Sequence, residues 1–385
     1  MRRPLFLSPG ISRRDFWQAA AANFLFFSNI SAFNLLPLYV KDLGGSVARI
    51  GWIMGVYSLA AIIFQPLVGR WVERFGIKRF LLLGGATGFL ASASFAFLTE
   101  LSPLFSLFRF LQGFGYSAFF IANLTLIAEI APARHRAEAV AIFGISGLVT
   151  MGAAPALGEL VIQAYGYPTF FVSASLFSLG GLLVVGALKP PEVVPVDLNK
   201  REKILRGNIF LPLVISGIFG ISIGTLFAFF PPFAKGVGGV ERVGGFYIAY
   251  ACSGIGLRLL GRRWADKWGR WQVVIPALLL YALGLFLLVW PGPLEAQLWV
   301  GALTGGAHGL LYPTLAALHM DQVEPGRRGR MLGLFSGAIV LGNSVGPMTM
   351  GVVAEEIGYY GMFGLTGILP LVGIFLIVYS RMRPH

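Results

Sequence analysis

The chain has 385 residues, of which 56% are hydrophobic and 12% charged, and it carries a formal net charge of +13. Charged residues make up about 25% of an ordinary soluble domain, so this composition excludes a soluble globular fold and indicates an integral membrane protein. The single cysteine, Cys252, excludes a disulfide framework and a cysteine-based metal site, and we expect neither a metal nor another cofactor.

Apolar runs recur along the whole sequence. A membrane-spanning helix needs about 20 predominantly apolar residues. Twelve such runs are predicted, at residues 17–40, 47–69, 79–98, 101–128, 137–161, 167–188, 209–234, 242–262, 271–290, 294–319, 329–353 and 359–381. The predicted fold class is therefore an all-α polytopic membrane protein with twelve transmembrane helices.

Basic residues fall mainly on one side of the predicted spans. The amino terminus, the even-numbered loops and the carboxyl terminus hold 24 of the 30 Lys and Arg residues. The positive-inside rule then places both termini in the cytoplasm, and we expect a multi-pass protein of the cell (inner) membrane. Because this bias explains the basic charge, and no basic patch with interleaved aromatic residues occurs, we expect no nucleic-acid partner.

The sequence contains an internal repeat. The loop motif RWVERFG at residues 70–76 recurs 193 residues later as RWADKWG at residues 263–269. An ungapped alignment of residues 47–76 with 240–269 has nine identities, including Tyr57 with Tyr250. With a register one residue shorter, the alignment continues through the later spans, so the repeat covers most of the chain.

The repeat divides the chain into two parts. Residues 1–188 and 209–385 each hold six predicted helices, and the Pro-rich, charged stretch 189–208 is interpreted as a cytoplasmic connector between the two bundles. Because six is even, both bundles enter the membrane in the same orientation, as parallel repeats.

The first loop motif extends to GRWVERFGIKR at residues 69–79, which resembles the signature G-x-x-x-D-R-x-G-R-R of the major facilitator superfamily. The resemblance covers the whole chain in helix count, duplication, connector and loop motif. It implies two six-helix bundles in a pseudo-twofold 6+6 arrangement. It also implies a secondary active transporter that moves a small solute by rocker-switch alternating access.

In that family this loop holds the cytoplasmic side closed, which implies a conformational latch here. Glu73 would cap the amino terminus of the helix that begins near Gly329, where the helix dipole favours an anion. The second copy has Arg262 where the first has Gly69, so the tighter contact is expected at the first copy. The implied latch residues are Gly69, Glu73, Arg74, Gly76, Glu129, Arg136, Asp266, Lys267, Gly269, Asp321 and Arg328.

The sequence RFLQG at residues 109–113 resembles the R-x-x-Q-G motif in helix 4 of the superfamily's drug and metabolite exporters. Arg109, Gln112 and Tyr116 recur at helical spacing, as does Asn123, so they share one face. An arginine inside a span must face a cavity or a polar partner rather than lipid. This face either lines the substrate site or bonds to a neighbouring helix.

Other spans contribute neutral polar groups. His308 occupies the repeat position of Tyr116 and is either a packing residue with a satisfied hydrogen bond, or a proton carrier or substrate ligand. The remaining groups either line a cavity or bond across helices. The predicted substrate-cavity residues are Asn34, Ser31, Arg109, Gln112, Tyr116, Asn123, Thr225, His308 and Tyr312.

No acidic residue lies near the centre of a predicted span. Proton-driven drug exporters of the superfamily usually carry a buried acid. The predicted spans contain a buried cation, Arg109, without such an acid, and this favours an anionic or neutral amphipathic solute. A proton-coupled multidrug exporter, a lipid translocase and a transporter-like ligand sensor remain alternatives. An intramembrane enzyme is not predicted, since no H-E-x-x-H metalloprotease motif occurs. We expect a monomer whose partners are the bilayer, a small-molecule substrate and, in the exporter alternative, a coupling proton.

Overall fold

The computed structural model describes residues 13–130, 136–188, 209–289, 296–323 and 328–382, and every regular element in these ranges is helical. The α-helices in these ranges are α1 (Arg13–Ala32), α2 (Leu36–Asp42), α3 (Val47–Phe75), α4 (Ile77–Ser94), α5 (Leu104–Ile130), α6 (Arg136–Ala187), α7 (Phe210–Gly236), α8 (Gly244–Leu260), α9 (Trp264–Trp268), α10 (Arg270–Phe286), α11 (Ala296–Asp321) and α12 (Arg328–Met382). A 3-10 turn at Phe33–Leu35 joins α1 to α2.

Seven helical segments in the described ranges are long and apolar enough to cross a membrane. The segment at Arg270–Phe286 is apolar but shorter. The prediction of an all-helical, membrane-embedded chain is therefore confirmed in its general form. Helices α6 and α12 each contain one residue with non-helical backbone angles, Gly166 and Gly358, at which the helix is kinked.

The repeat found in the sequence is also present in the backbone. Gly76 ends α3 with φ 92° and ψ 152°, and its repeat partner Gly269 ends α9 with φ 102° and ψ 152°. The two kinks match equally well, with φ 78° at Gly166 and 73° at Gly358. Positive φ angles of this kind are accessible mainly to glycine. The same chain reversals therefore occur at the same places in both copies.

The helices pack mainly within each half of the sequence. In the first half, residues 13–188, α1 packs on α6, and α5 packs on α3 and α4. In the second half, residues 209–382, α7 packs on α12, and α11 packs on α8 and α10. The principal contacts between the halves are α3 with α12 and α6 with α8. These two contacts determine how the halves sit against each other.

The closest described contacts between the halves lie away from the loop motifs. We call the end of the helices that carries the two loop motifs the motif end, and the opposite end the far end. Near the far end, a Cβ atom added to Gly51 would lie 2.1 Å from the Pro347 carbonyl oxygen, and one added to Gly152 would lie 2.4 Å from Ala251 Cβ. Near the motif end, Gly69 and Gly333 have no described atom within 4 Å of that position. Among the described residues, the halves are therefore packed more closely toward the far end than at these two motif-end positions.

Close helix contacts within each half are also repeated. A Cβ atom on Gly113 would lie 2.1 Å from the Tyr57 carbonyl oxygen, and a Cβ on Gly305 would lie 2.1 Å from the Tyr250 carbonyl oxygen. Small residues allow such close approach of backbones in membrane helices.

The substitution Gly305→Ala should therefore push α11 away from α8. We expect the free energy of unfolding to fall by about 1–3 kcal/mol, the usual cost of overpacking. Thermal melting of the purified protein in detergent checks this. Gly256→Ala on α8 is the matched control, because no described atom lies within 4 Å of the added methyl group. Equal melting temperatures for the two variants would contradict the packing argument.

Candidate functional site

A chain of buried hydrogen bonds holds Arg109 in the first half. Arg109 Nη1 donates to Gln112 Oε1 at 2.9 Å, and Gln112 Nε2 donates to Ser92 Oγ at 2.8 Å. Asn29 Nδ2 donates to Ser92 Oγ and to the Ala174 carbonyl oxygen. The chain links α5, α4, α1 and α6. Gln112 is fully buried and has both ends of its amide occupied, so in this conformation it positions Arg109.

The guanidinium of Arg109 lies among aromatic and sulfur groups. Its Cζ is 4.6 Å from the centroid of the Tyr57 ring, and Nη2 lies 3.8 Å from Met54 Sδ. Nε is buried and has no hydrogen-bond partner among the described residues. No carboxylate in the described ranges lies within ion-pair distance of Arg109, which is 4% exposed. The charge is therefore buried without a counter-ion among the described residues.

Tyr116 and Tyr57 extend the wall beside Arg109. Their ring centroids are 5.6 Å apart, and Tyr116 also contacts Phe27 and stacks on Phe120. Both tyrosines remain partly exposed although they lie in the middle of long helices. The prediction that Arg109 and Tyr116 lie together is consistent with this geometry, and Tyr57 is the residue between them.

Three other predicted cavity residues of the first half bond elsewhere. Asn123 Nδ2 donates to Asn23 Oδ1 at 2.9 Å, and Ser31 Oγ donates to Thr150 Oγ1 at 3.3 Å. Both side chains are buried. Asn34 is partly exposed, and its carbonyl oxygen accepts a 3.2 Å hydrogen bond from Tyr247 Oη of the second half. Asn123 and Ser31 therefore connect helices in this conformation.

The second half has its own polar group around His308. Tyr250 Oη and His308 Nδ1 are 2.5 Å apart, and the imidazole ring packs edge-on against Phe219. Tyr312 lies one turn further along α11, with its ring centroid 6.0 Å from that of His308. Because Tyr250 and His308 are the repeat partners of Tyr57 and Tyr116, the two halves place one aromatic pair each at matched positions. Thr225 is fully buried, and its Oγ1 has no partner among the described residues.

Sequence reasoning did not include Arg258 among the predicted cavity residues. It is partly exposed, and its Cζ lies 6.0 Å from the centroid of the Tyr312 ring. A Cβ atom on Gly144 of the first half would lie 2.9 Å from Arg258 Nη1. The signal was available, because Arg258, like Arg109, lies several residues inside a predicted span. The missed partners Tyr57 and Tyr250 were visible as matched residues of the repeat.

A buried carboxylate joins the halves at the far end. Glu159 on α6 is 3% exposed and accepts hydrogen bonds from the backbone N–H groups of Val243 and Gly244, at 3.0 and 2.7 Å. Lys235 Nζ lies 3.0 Å from the same carboxylate. The anion thus caps the amino terminus of α8, where the helix dipole favours it. On the other contact, Glu355 of α12 accepts a 3.1 Å hydrogen bond from the Ala48 N–H near the start of α3.

The predicted latch residues lie at the motif end. Arg74 and Glu129 are exposed, and Glu73 makes no ion pair within the described part of the chain. Asp321 and Asp266 both pair with Arg270, at 3.1 and 2.5 Å, and neither pairs with Lys267 among the described residues. Arg270 opens α10 four residues after Asp266, which brings it between the two acids. The remaining residues of the set are Gly69 and Gly76, which have no described atom within 4 Å of an added Cβ, Gly269, and Arg136 and Arg328, whose side chains lie outside the described residues.

One further pattern bears on the question of an enzyme. GNSVG at residues 342–346 has the letters of the G-x-S-x-G nucleophile motif, which requires a turn between a strand and a helix. Here the pattern lies inside α12, and Ser344 Oγ donates to the Gly55 carbonyl oxygen at 3.0 Å. The serine therefore contributes to helix packing, and a nucleophile elbow is not formed.

The fold and the site together define a helical membrane transporter. Long apolar helices form two repeated sets that contact each other through α3 with α12 and α6 with α8, and each set holds buried polar groups. The profile of the Major Facilitator Superfamily matches residues 17–323 and 273–385. The chain belongs to this superfamily, and it is a secondary transporter of small solutes.

Similar proteins agree with this assignment. The chain is 25% identical over 387 residues to the staphylopine export protein of Staphylococcus aureus (strain Mu50 / ATCC 700699), covering 94% of each chain. It is 23% identical over 358 residues to the fosmidomycin resistance protein of Escherichia coli (strain K12), covering 89% of this chain and 86% of that one. A crystal structure of the nucleoside transporter NupG matches with a TM-score of 0.75 at 16% identity, covering 94% of this chain and 99% of that chain. This last likeness concerns the fold.

Proposed function

We propose that the protein moves a small anionic solute, or a neutral amphipathic one, through the membrane by alternating access, with the anionic class favoured. The observation that carries the proposal is Arg109, a buried guanidinium without a carboxylate partner in the described ranges. Leaving a charge buried and unpaired costs several kcal/mol, so such residues inside membrane spans mark substrate or ion pathways. An anion that bound at Arg109 would supply the missing counter-charge.

The neighbours of Arg109 support an organic solute. Tyr57, Tyr116 and Phe27 present aromatic faces beside the guanidinium, and such surfaces bind the apolar body of a ligand while a few polar groups fix its orientation. The relatives named as a staphylopine exporter and a fosmidomycin resistance protein support a small organic substrate that is exported. Export is therefore the proposed direction.

We also propose the finer architecture. Twelve spans result when the helices are counted as follows. Helices α1 and α2 form one span together, and α8 to α11 supply three. Helices α6 and α12 count as two spans each, divided at Gly166 and Gly358. They form bundles 1–188 and 209–385 joined by residues 189–208, in a 6+6 arrangement with both termini in the cytoplasm of the cell membrane. The loop motifs are then cytoplasmic and the closest described contacts between the halves lie toward the other side of the membrane, so we propose that this structure is the inward-open state.

In this proposal the latch closes in the opposite state. The open surroundings of Gly69 support this, because the residue has space here that it would lose when α3 approaches the start of α12. Glu73 and Arg74 would form their contacts in that state, together with Glu129, Asp266 and Lys267.

The substitution Gly69→Leu should therefore lower the transport rate without lowering the thermal stability of the inward-open protein. The added side chain meets no described atom within 4 Å of its Cβ in this state but blocks close approach in the other. Solute flux into proteoliposomes and thermal melting, measured on the same preparation, check this. Arg262→Leu at the repeat position should affect flux less. A Gly69→Leu protein with normal flux would argue against the latch.

A ligand screen tests the proposed function. Thermal melting of the wild type and of Arg109→Ala, measured with organic anions, neutral amphiphiles, lipids and cationic drugs, should show stabilisation of the wild type by anions, because ligands stabilise the state they bind. Flux of the best ligand in proteoliposomes then separates a transporter from a ligand sensor, which binds without moving its ligand. Acidification of the vesicle lumen during flux would favour the proton-coupled alternative, with His308 as the candidate proton carrier.

A further inference from the structure

Arg258 reaches from the second half toward the first. It lies two residues before the end of α8, toward the motif end. Its guanidinium stands over the Tyr312 ring of α11, and Nη1 would lie 2.9 Å from a Cβ atom on Gly144 of α6. The charge is therefore placed at the junction of three helices, between the two halves of the protein.

This charge has no partner in the described part of the chain. No carboxylate there lies within ion-pair distance of Arg258, and its Nε is buried without a hydrogen-bond acceptor. Gln65, which occupies the repeat position of Arg258 on α3, has a buried Nε2 that also lacks an acceptor. Buried donors nearly always have partners in folded proteins. Two matched donors without acceptors among the described residues provide a place for an acceptor that a ligand would supply.

Arg258 and Arg109 lie at different depths. Arg109 lies five residues after the start of α5 at the far end and contacts Tyr57, the repeat partner of Tyr250. Arg258 follows Tyr250 by eight residues on α8, a rise of about 12 Å toward the motif end. One cation thus lies near the far end, and the other lies nearer the motif end.

We propose that Arg258 is a second anion-binding residue of the transport site, and that the solute carries two anionic groups, one held at Arg109 and one at Arg258. This inference rests on the proposed function, since it takes Arg109 as the first anion site. A guanidinium suits carboxylate or phosphate oxygens because it donates in a planar fork, and it stays charged under all physiological conditions. Each half of the protein then holds one end of the solute, which couples binding to the relative position of the halves.

Two probes of equal chain length test the inference. Suberate and octanoate share an eight-carbon chain, and suberate has a second carboxylate where octanoate has a methyl group. Dissociation constants are measured by ligand-induced thermal stabilisation of the purified full-length protein. For the wild type we expect suberate to bind at least tenfold more tightly than octanoate. For Arg258→Gln we expect the two constants to become equal, with octanoate unchanged. Arg258→Lys, which keeps the charge, should retain part of the preference.

The control variant is Arg381→Gln, which removes one exposed positive charge at the end of α12 and should keep the wild-type preference. A suberate preference that survives in Arg258→Gln, or a wild type without that preference, would overturn the inference. A different result would contradict the proposed function, namely unchanged binding of both probes by Arg109→Gln. Melting of the ligand-free variants shows whether each one is folded.

Discussion

Replacing Glu159 by Gln is expected to open the far end of the protein. The carboxylate belongs to the first half, while its three donors, Lys235 and the N–H groups of Val243 and Gly244, all belong to the second. An amide keeps the size of the side chain but loses the charge, and only one of its two ends can still accept a hydrogen bond. The substitution thereby weakens the contact between the two halves at the far end.

The size of the effect follows from burial. Breaking a buried ion pair costs about 3–5 kcal/mol, and hydrogen bonds to a charged group contribute about 1.5–3 kcal/mol each. Because Lys235 is partly exposed, we expect a shift of about 3 kcal/mol, which is about a hundredfold in the equilibrium between the two states. The fold itself should survive, because the contact joins the halves and does not hold either half together.

Distances between spin labels test this expectation. Labels at Thr99 and Glu356, two exposed far-end positions in different halves, should give longer distances in Glu159→Gln than in the wild type. Net transport should fall, since a transporter must return to each state in turn. Glu241→Gln is the matched control, because it removes an exposed far-end carboxylate beside the same helix terminus. An unchanged distance distribution in Glu159→Gln would refute the role of this carboxylate.

Replacing Arg109 by Gln is expected to abolish most anion binding while leaving the empty protein at least as stable. Losing one member of a buried charge pair with its ligand costs about 2–5 kcal/mol, so the dissociation constant for an anionic solute should rise at least about 30-fold. The stability of the ligand-free protein should change in the opposite direction. Without ligand, Arg109 is a buried charge without a counter-ion in the described ranges, and its removal relieves that penalty.

The two measurements together separate a binding role from a structural one. If Arg109 serves mainly to connect α5 to α4 through Gln112, its removal should lower the melting temperature of the empty protein and affect binding only in proportion. If it holds the solute, binding falls and the melting temperature does not. Arg109→Lys should recover only part of the affinity, because an ammonium group lacks the planar fork that also bonds to Gln112. Arg381→Gln again serves as the control for loss of charge.

The sequence specified much of this protein because a bilayer restricts what a chain can do. Every apolar run of about 20 residues must be helical there, since lipid offers no hydrogen-bond partner for the backbone. The predicted runs accordingly coincide with the helices, to within a few residues in most cases. The break between the runs at 137–161 and 167–188 falls at Gly166, and the break between those at 329–353 and 359–381 falls at Gly358. The doubled loop motif predicted a repeat that the backbone angles of Gly76 and Gly269 reproduce.

The candidate site could be predicted from the sequence only in part. Helical spacing placed Arg109, Gln112 and Tyr116 on one face, but spacing does not tell which members of a face are buried between helices and which reach the cavity. Gln112 proved fully buried, and Asn123 bonds to Asn23 of α1. The sequence also does not predict the contacts of the latch residues in this structure, because those contacts depend on which end of the molecule is closed.

What the sequence by itself determined was the class of protein, its helices and its repeat, because hydrophobicity and glycine geometry act locally along the chain. What only the tertiary structure decided was which groups meet across the two halves. Glu159 looked like a residue at the end of a helix, and it proved to be buried against Lys235 and the start of α8. Arg258 looked like a basic residue well inside a span, and it proved to lie over Tyr312 of its own half and beside Gly144 of the other. These contacts join residues far apart in the chain, and the packing of one half against the other, which no local pattern encodes, brings them together.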